Sequence, residues 1–365
     1  MFVKKNLVAV AALMAVAGAA QAQSSVKLYG YVEAAVGSFE EAHTTGAKAR
    51  TSEVASGQMM TNFIGFSGSE DLGGGLKAEF ALESFLAADT GATLTNNHGG
   101  FWGRASWVGL SGGFGRIALG QYDNPLFTSG YTYNPFGSSM GFSPTMRHLS
   151  YIGQTATATP GVNPGVGFDT GWINSITYES PVMSGFQLIG QYAPKESTAT
   201  GTKNAYTVAA SYNAGPFSAM ATYVKSGKSA STAWTADEKV WNLGASYDFG
   251  MLKAFAQYTD IKEVDSVAVT VSSTVTNGAL LANKSKIYQL GVSVPVTDKA
   301  AVLASYGELK NEVTSTKAEE KDRLFTLAFN YDLSKRTGVY GAFMNNGHTN
   351  LQSGQSYAVG IKHSF

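Results

Sequence analysis

The chain of 365 residues contains no cysteine, only 9 prolines, and charged side chains at 14% of positions. Absence of cysteine removes disulfides, thiolate metal sites and thiol nucleophiles from consideration. Scarcity of proline leaves long stretches free to hydrogen-bond as regular backbone. Long apolar runs are missing too. The stretch from Leu7 to Ala20 spans 14 residues, short of the roughly 18 that a membrane-crossing helix needs. It follows Lys4 and Lys5 and runs into Ala20-Gln21-Ala22, a small-x-small cleavage pattern. Residues 1–22 therefore read as a secretory signal. Cleavage after Ala22 leaves residues 23–365 as one domain, with 24 basic and 26 acidic side chains. That balance offers nothing to a nucleic acid.

What is plentiful is glycine (42), phenylalanine (20) and tyrosine (18). These sit in stretches where apolar residues alternate with small or polar ones, the period of a strand with one apolar face. Trp241, Leu243, Ala245, Tyr247 and Phe249 oppose Asn242, Gly244, Ser246 and Asp248. Phe325, Leu327, Phe329 and Tyr331 oppose Leu324, Thr326, Ala328 and Asn330. Tyr357, Val359, Ile361, His363 and Phe365 oppose Ser356, Ala358, Gly360, Lys362 and Ser364. A soluble sandwich alternates as well, but its strands peak near 5 or 6 residues. The stretches here run to about 9–12 residues and end in Tyr, Phe or Trp, as tilted strands with interfacial aromatic girdles do.

Tight turns are expected at Asp71–Gly74, Ser111–Gly113, Pro181–Gly185, Asn213–Pro216, Asp248–Gly250, Pro295–Asp298 and Asp332–Lys335. Longer polar loops alternate with them, at about 38–58, 87–99, 123–173, 194–203, 226–237, 262–284, 310–321 and 346–354. Seven turns and eight loops join sixteen strands, an even number, with both termini on the side of the tight turns. The expected fold is all-β: a sixteen-stranded antiparallel transmembrane β-barrel, closed because hydrocarbon leaves no backbone donor unpaired. A barrel of that size holds an aqueous lumen.

Several stretches resemble the general porins of beta-proteobacteria, trimeric sixteen-stranded outer-membrane channels. They include Ser24–Gly30, Gly68–Ala78, Gly103-Arg104 with Trp107–Ser111, Asn174–Ile176 with Tyr178 and Ser180-Pro181, and Tyr331–Thr337. In this order they cover the whole mature chain. The resemblance implies passive diffusion of small hydrophilic solutes and ions, and an outer-membrane location reached through the periplasm. Implied partners are two further copies of the chain, outer-membrane lipid and lipopolysaccharide. Terminal Phe365 is implied as the recognition signal for the barrel-assembly machinery. The resemblance also implies that the third loop, Asp123 to Ile173, folds into the lumen and sets its narrowest point. No regular structure is legible in it, but Phe127, Tyr131, Tyr133, Phe136, Phe142 and Tyr151 make it aromatic. Between Asn124 and Ile173 its only formal charges are Arg147 and Asp169.

Charges on inward faces set ion preference at short range. Alternation turns Lys27, Glu33, Lys77, Glu79, Glu83, Arg104 and Arg116 inward. Lys27, Lys77 and Arg116 fall near turns, so Arg104, Arg147 and Asp169 are the stronger constriction candidates. Departures from the family pattern carry more weight. Two positions that are usually basic are Phe63 and Ser67, another is Gln121, and a fourth aligns with Gly171. With that basic wall reduced, weak ion selectivity is expected. An alternative is a channel specific for a neutral, sugar or aromatic solute, stacked on Tyr131, Tyr133 or Phe136. A barrel enzyme would need a histidine held beside a nucleophile or acid. His43, His98, His148 and His348 lie in loops, and His363 reads lipid-facing or at the periplasmic edge, none in such a context. Gly73-Gly74-Gly75 precedes a strand rather than a helix and is a turn, and no calcium-loop spacing occurs. No enzyme activity, metal or cofactor is expected. Surface loops also leave room for adhesion or phage attachment.

Overall fold

Alternating side chains along the chain become the two faces of one antiparallel sheet. The computed structural model describes residues 25–46, 50–94, 100–151, 172–195, 204–226, 238–268, 281–312 and 319–365. The expected signal segment, Asp169 and Gly171 lie outside the described residues. The first strands are β1 (Ser25–Glu40), β2 (Arg50–Ser56), β3 (Phe63–Gly73), β4 (Leu76–Leu86), β5 (Thr93–Leu94), β6 (Ala105–Gly112) and β7 (Gly115–Tyr122). After the third loop come β8 (Trp172–Glu179), β9 (Phe186–Ala193), β10 (Ala205–Ala214), β11 (Phe217–Ser226) and β12 (Glu238–Asp248). The last are β13 (Lys253–Ala268), β14 (Leu281–Thr297), β15 (Ala300–Glu312), β16 (Glu319–Asp332), β17 (Thr337–His348) and β18 (Gly354–Ser364).

Four of these eighteen segments are the halves of two interrupted strands. Both β2 and β3 pair with β1, and both β5 and β6 pair with β4. The barrel therefore has sixteen strands, each antiparallel to its neighbours, and it closes where β1 pairs β18 from Tyr31↔Ser364 to Ser38↔Tyr357. Closure continues past the ladder. Phe365 N donates to Gly30 O at 3.2 Å and Gly30 N donates to Phe365 O at 3.3 Å. All seven expected tight turns are present. The long loops are shorter than polarity suggested: β1 runs to Glu40 and β2 starts at Arg50, while β13 and β14 extend past 262 and 284. Beyond the bilayer a hairpin keeps its ladder in water, so polar composition there does not end a strand.

Outward faces carry the apolar set, with Trp241, Leu243, Tyr247, Phe325, Leu327, Phe329, Tyr357, Val359 and Ile361 all exposed. Their aromatics form two belts. Near the long loops Tyr223 packs on Trp241 at 4.6 Å and Tyr258 on Tyr288 at 5.2 Å. Near the tight turns Phe186 packs on Tyr212 at 4.3 Å and Tyr247 on Phe249 at 4.6 Å. Such belts sit where an amphipathic ring meets the bilayer interface.

The third loop corrects one expectation, for it contains two helices, α1 (Pro125–Thr132) and α2 (Pro144–Tyr151). Each starts at a capped proline: Asn124 Oδ1 accepts from Leu126 N at 2.9 Å, and Ser143 Oγ accepts from Met146 N at 3.3 Å. Asn-Pro and Ser-Pro are helix-start signals. Both helices lie inside the barrel. Leu126, Phe127, Met146 and Leu149 pack on the inward side chains Val224, Val240, Ile261, Ile287 and Leu309. Polar rungs hold the rest: Asn124 Nδ2 donates to Gln191 at 2.9 Å and Thr207 at 2.8 Å, and Gln257 Nε2 donates to Gly130 O at 3.0 Å. Glycine makes the close approach possible. A Cβ on Gly244 would meet the Tyr133 ring at 2.4 Å, one on Gly291 would meet Pro135 Cδ at 2.5 Å, and one on Gly307 would meet Pro144 Cβ at 2.5 Å.

Two outcomes follow from this packing. A Cβ on Gly30 would lie 2.5 Å from the Phe365 ring and 2.6 Å from Phe63 O. Gly30→Val should therefore destabilise the seam by roughly 1–3 kcal/mol, read as a lower unfolding midpoint in denaturant. Gly291→Leu should leave the barrel folded but push Pro135 off the wall and lower single-channel conductance. Unchanged conductance would mean that the loop does not rest on that slot.

Candidate functional site

Because the loop fills the side of the lumen lined by β10 to β16, the open passage lies against the inward faces of β1, β3, β4, β6 and β7. Register decides which side chains meet there. Tyr31 pairs with Phe63, Tyr29 with Gly65, and Gly65 in turn with Glu83. These alternate residues all point inward, and Arg104 enters from just before β6.

The structure brings three expected residues, Phe63, Glu83 and Arg104, into one cluster. The Arg104 guanidinium lies over the Phe63 ring, 4.0 Å from its centre, and is ion-paired with Glu83. Tyr29 donates its hydroxyl to the other Glu83 oxygen. Asp123, at the start of the third loop, faces the same guanidinium electrostatically. Arg104 is thus compensated by two carboxylates, and its charge is not presented alone to a passing ion. Gln121 is buried beside the cluster and donates to Gly103 O. Its inward position follows the irregular pairing at Gly120, whose φ is +125°. Ser67 lies two inward steps below Phe63 and pairs with Lys27 across the ladder.

Arg116 belongs to a separate group nearer the tight turns. Its Nε lies 3.1 Å from Glu79 and its Nη1 3.1 Å from Glu179. The Tyr122 hydroxyl donates to Glu179 at 2.9 Å, and Tyr122 packs edge-on to Trp107 at 5.2 Å. Here two carboxylates hold one guanidinium. Arg147 is placed elsewhere than sequence reasoning expected. It is only 9% exposed, ion-paired with Glu41, and donates to Gly141 O at 3.3 Å. Asn346 Nδ2 donates to the second Glu41 oxygen at 2.7 Å. Arg147 therefore ties α2 to the wall rather than facing the passage. The aromatic residues divide similarly. Tyr133 is buried over Gly244, with its hydroxyl 3.0 Å from Ser218 Oγ, whereas Phe127, Tyr131 and Phe136 border the open cavity. Burial, and next the Asp123 carboxylate, push the Tyr131 phenol above its ordinary value, so it presents a neutral hydroxyl.

Sequence reasoning missed a second charged group. Lys335 and Arg336, in the β16–β17 turn, border the lumen together with Lys362 on the inward face of β18. Alternation had already placed Lys362 inward, but turn residues carry no period, and nothing in the pattern aims Lys335 or Arg336 at the mouth. It also missed the depth of Glu33, which is fully buried. Glu33 accepts from the Tyr340 hydroxyl and from Gln58 N, while its N donates to Asn62 Oδ1 at 2.7 Å. That carboxylate fastens the break between β2 and β3, and with it the seat of Ser139 on Gln58 O at 2.6 Å.

Comparison with known proteins agrees with this geometry. A profile of the Gram-negative porin family matches residues 9–351. Outer membrane porin protein 32 of Delftia acidovorans is 31% identical over 99% of this chain and 100% of its own length. An outer membrane porin protein of Bordetella pertussis is 30% identical over the same shares, 99% and 100%. Among solved structures, an anion-selective porin from Comamonas acidovorans superposes with a TM-score of 0.72 at 28% identity, covering 94% of this chain and 100% of that one. With the closed sixteen-stranded barrel, the inward third loop and relatives matched end to end, the chain belongs to the Gram-negative porin family of the outer membrane.

Proposed function

We propose that this porin is a weakly ion-selective, non-specific channel whose narrowest part is the Phe63–Glu83–Arg104 cluster facing Asp123 and Tyr131. The observation that carries this reading is the ion pair of Arg104 with Glu83 beside a neutral Phe63. A cation compensated at contact distance projects little field along an aqueous path. The Comamonas acidovorans structure is described as an anion-selective porin. In this chain the compensated arginine supports a smaller preference. Of the three residues expected to stack a sugar or aromatic solute, Tyr133 and Phe136 are buried and only Tyr131 is half-exposed at the cavity, which favours general diffusion over a continuous stacking track.

The assembly we propose is a homotrimer. An outer membrane protein of Vibrio cholerae whose barrel superposes with a TM-score of 0.64 at 15% identity is described in a trimer form. The outer surface of β1 and β16 to β18 supplies an apolar depression bordered by Val36, Leu327, Phe329, Phe343 and Tyr357. Remaining outward faces meet lipid and lipopolysaccharide. Phe365, exposed at the last strand and clasped by Gly30, is suited to be read by the barrel-assembly machinery before the seam closes over it. The segment Met1–Ala22 would then be removed during export.

In planar bilayers under a KCl gradient, the wild-type channel should give a reversal potential close to zero; strong anion selectivity would overturn the reading. Removing one partner should expose the other. Glu83→Gln leaves Arg104 less compensated and should raise the anion-to-cation permeability ratio roughly two- to fivefold, and Arg104→Gln should lower it by a similar factor. If neither ratio moves, the cluster does not control the passage.

A further inference from the structure

Between the constriction and the tight turns lies a cavity of about 650 Å³ with two unlike walls. The third loop and the segment before β3 supply one of them, with Met59, Met60, Phe127, Tyr131, Pro135 and Phe136. It is apolar or neutral throughout. The other wall belongs to the end of β16, its turn and β18, with Lys335, Arg336 and Lys362. Among the described residues none of these three has an ion-pair partner. Asp332 is the one carboxylate lining that wall, and it and Glu33 both face Lys362 electrostatically, so the positive charges of Lys335 and Arg336 stay uncompensated. Asp123, the cavity's other carboxylate, faces Arg104 at the opposite end, where Arg104 is also paired with Glu83.

A cavity of this size, apolar on one side with a few convergent polar groups on the other, is the form of a small-molecule site. Its charge and its apolar surface are at different places, which sets the chemistry of what fits. A bare anion leaves the thioether and aromatic wall uncovered. A neutral aromatic leaves the cations without a partner. We propose that the cavity is a binding subsite for small monoanions that carry an apolar ring, aryl carboxylates such as benzoate. The ring rests on Met60, Tyr131 and Pro135, the half-buried members of that wall, and the carboxylate points to Lys362 and the Lys335-Arg336 turn. This rests on the channel reading above and adds a solute class to it. Aromatic rings gain from thioether and ring-edge contact in a partly dry pocket. The carboxylate gains from charge-assisted hydrogen bonds to guanidinium and ammonium groups. Both fit a molecule entering from the periplasmic mouth without crossing the Arg104 cluster.

The test is current block of the full channel in KCl by benzoate, acetate and benzyl alcohol, each added on either side. Benzoate should reduce the current saturably, and acetate and benzyl alcohol should each need about tenfold more to do the same, because each satisfies one wall only. Block should set in faster from the side of the tight turns. A combined Lys335→Gln, Arg336→Gln, Lys362→Gln channel should bind benzoate about fivefold or more weakly, with block by benzyl alcohol unchanged. Equal potency of benzoate and acetate overturns the apolar wall. Equal potency of benzoate and benzyl alcohol overturns the cationic one. Unchanged benzoate block in the triple variant overturns the placement. Should that variant fail to insert, the wild-type ranking and its sidedness decide alone. A channel of ordinary conductance with no benzoate response overturns the subsite and leaves the channel reading intact. A reconstituted protein that does not conduct overturns the channel reading and the subsite with it.

Discussion

Every feature of this molecule depends on one constraint: in hydrocarbon, each backbone N–H and C=O has to find a partner within the protein. A sheet meets that demand only if its first strand finds its last. Here β1 does so twice, through the ladder with β18 and through the clasp between Gly30 and Phe365. Closure of the ladder fixes the register of every strand, and a slip of one residue would turn lipid-facing aromatics into the lumen. The alternation seen at Trp241–Phe249 or Tyr357–Phe365 is the visible trace of that requirement, as is the even number of strands.

Closure leaves the interior with the opposite problem, a wide polar tube that has to be narrowed without being filled. The third loop solves it by docking along one side. Its apolar helix faces need an apolar counterpart, and Val224, Val240, Ile261, Ile287 and Leu309 supply one between rungs of Gln, Asn, Thr and Ser. Its backbone has to come close, which the glycines at 244, 291 and 307 permit. At its far end Arg147 is ion-paired with Glu41, and the buried His148 Nε2 lies 3.7 Å from Asp322. A loop held by packing, hydrogen bonds and ion pairs at once has one position, and a channel needs that to have one conductance.

Much of this was legible from residue order, and the parts that were not share a cause. Period-two alternation gave strands, faces and inward charges such as Glu83 and Arg116, because in a barrel facing is a local property of the chain. Turn chemistry gave the seven short connections for the same reason. Loop three resisted because its helices are only two turns long, with no amphipathic period, and the caps at Asn124 and Ser143 were the available signal. Which charges meet was also out of reach. Arg104 and Arg147 look equivalent in sequence, yet one reaches Glu83 across a strand pair and the other reaches Glu41 from a distant loop. Such pairings are set by tertiary register, and no spacing rule within one strand encodes them.

Ion preference is then a matter of placement along the path more than of net charge. The chain has 26 basic and 26 acidic side chains, and the cluster around Arg104 compensates that guanidinium on the spot. Yet the periplasmic end separates its signs: Arg116 is held by Glu79 and Glu179 on one side, while on the other Asp332 and Glu33 face Lys362 and leave Lys335 and Arg336 uncompensated. At physiological ionic strength fields decay over about 8 Å, so these groups act on a solute beside them and little on one at the Arg104 cluster. A porin can therefore pass small ions of both signs with little bias and still hold a particular shape of anion at its mouth. On the reading proposed above, bulk selectivity and local affinity would come from different residues, and either could change by substitution without the other.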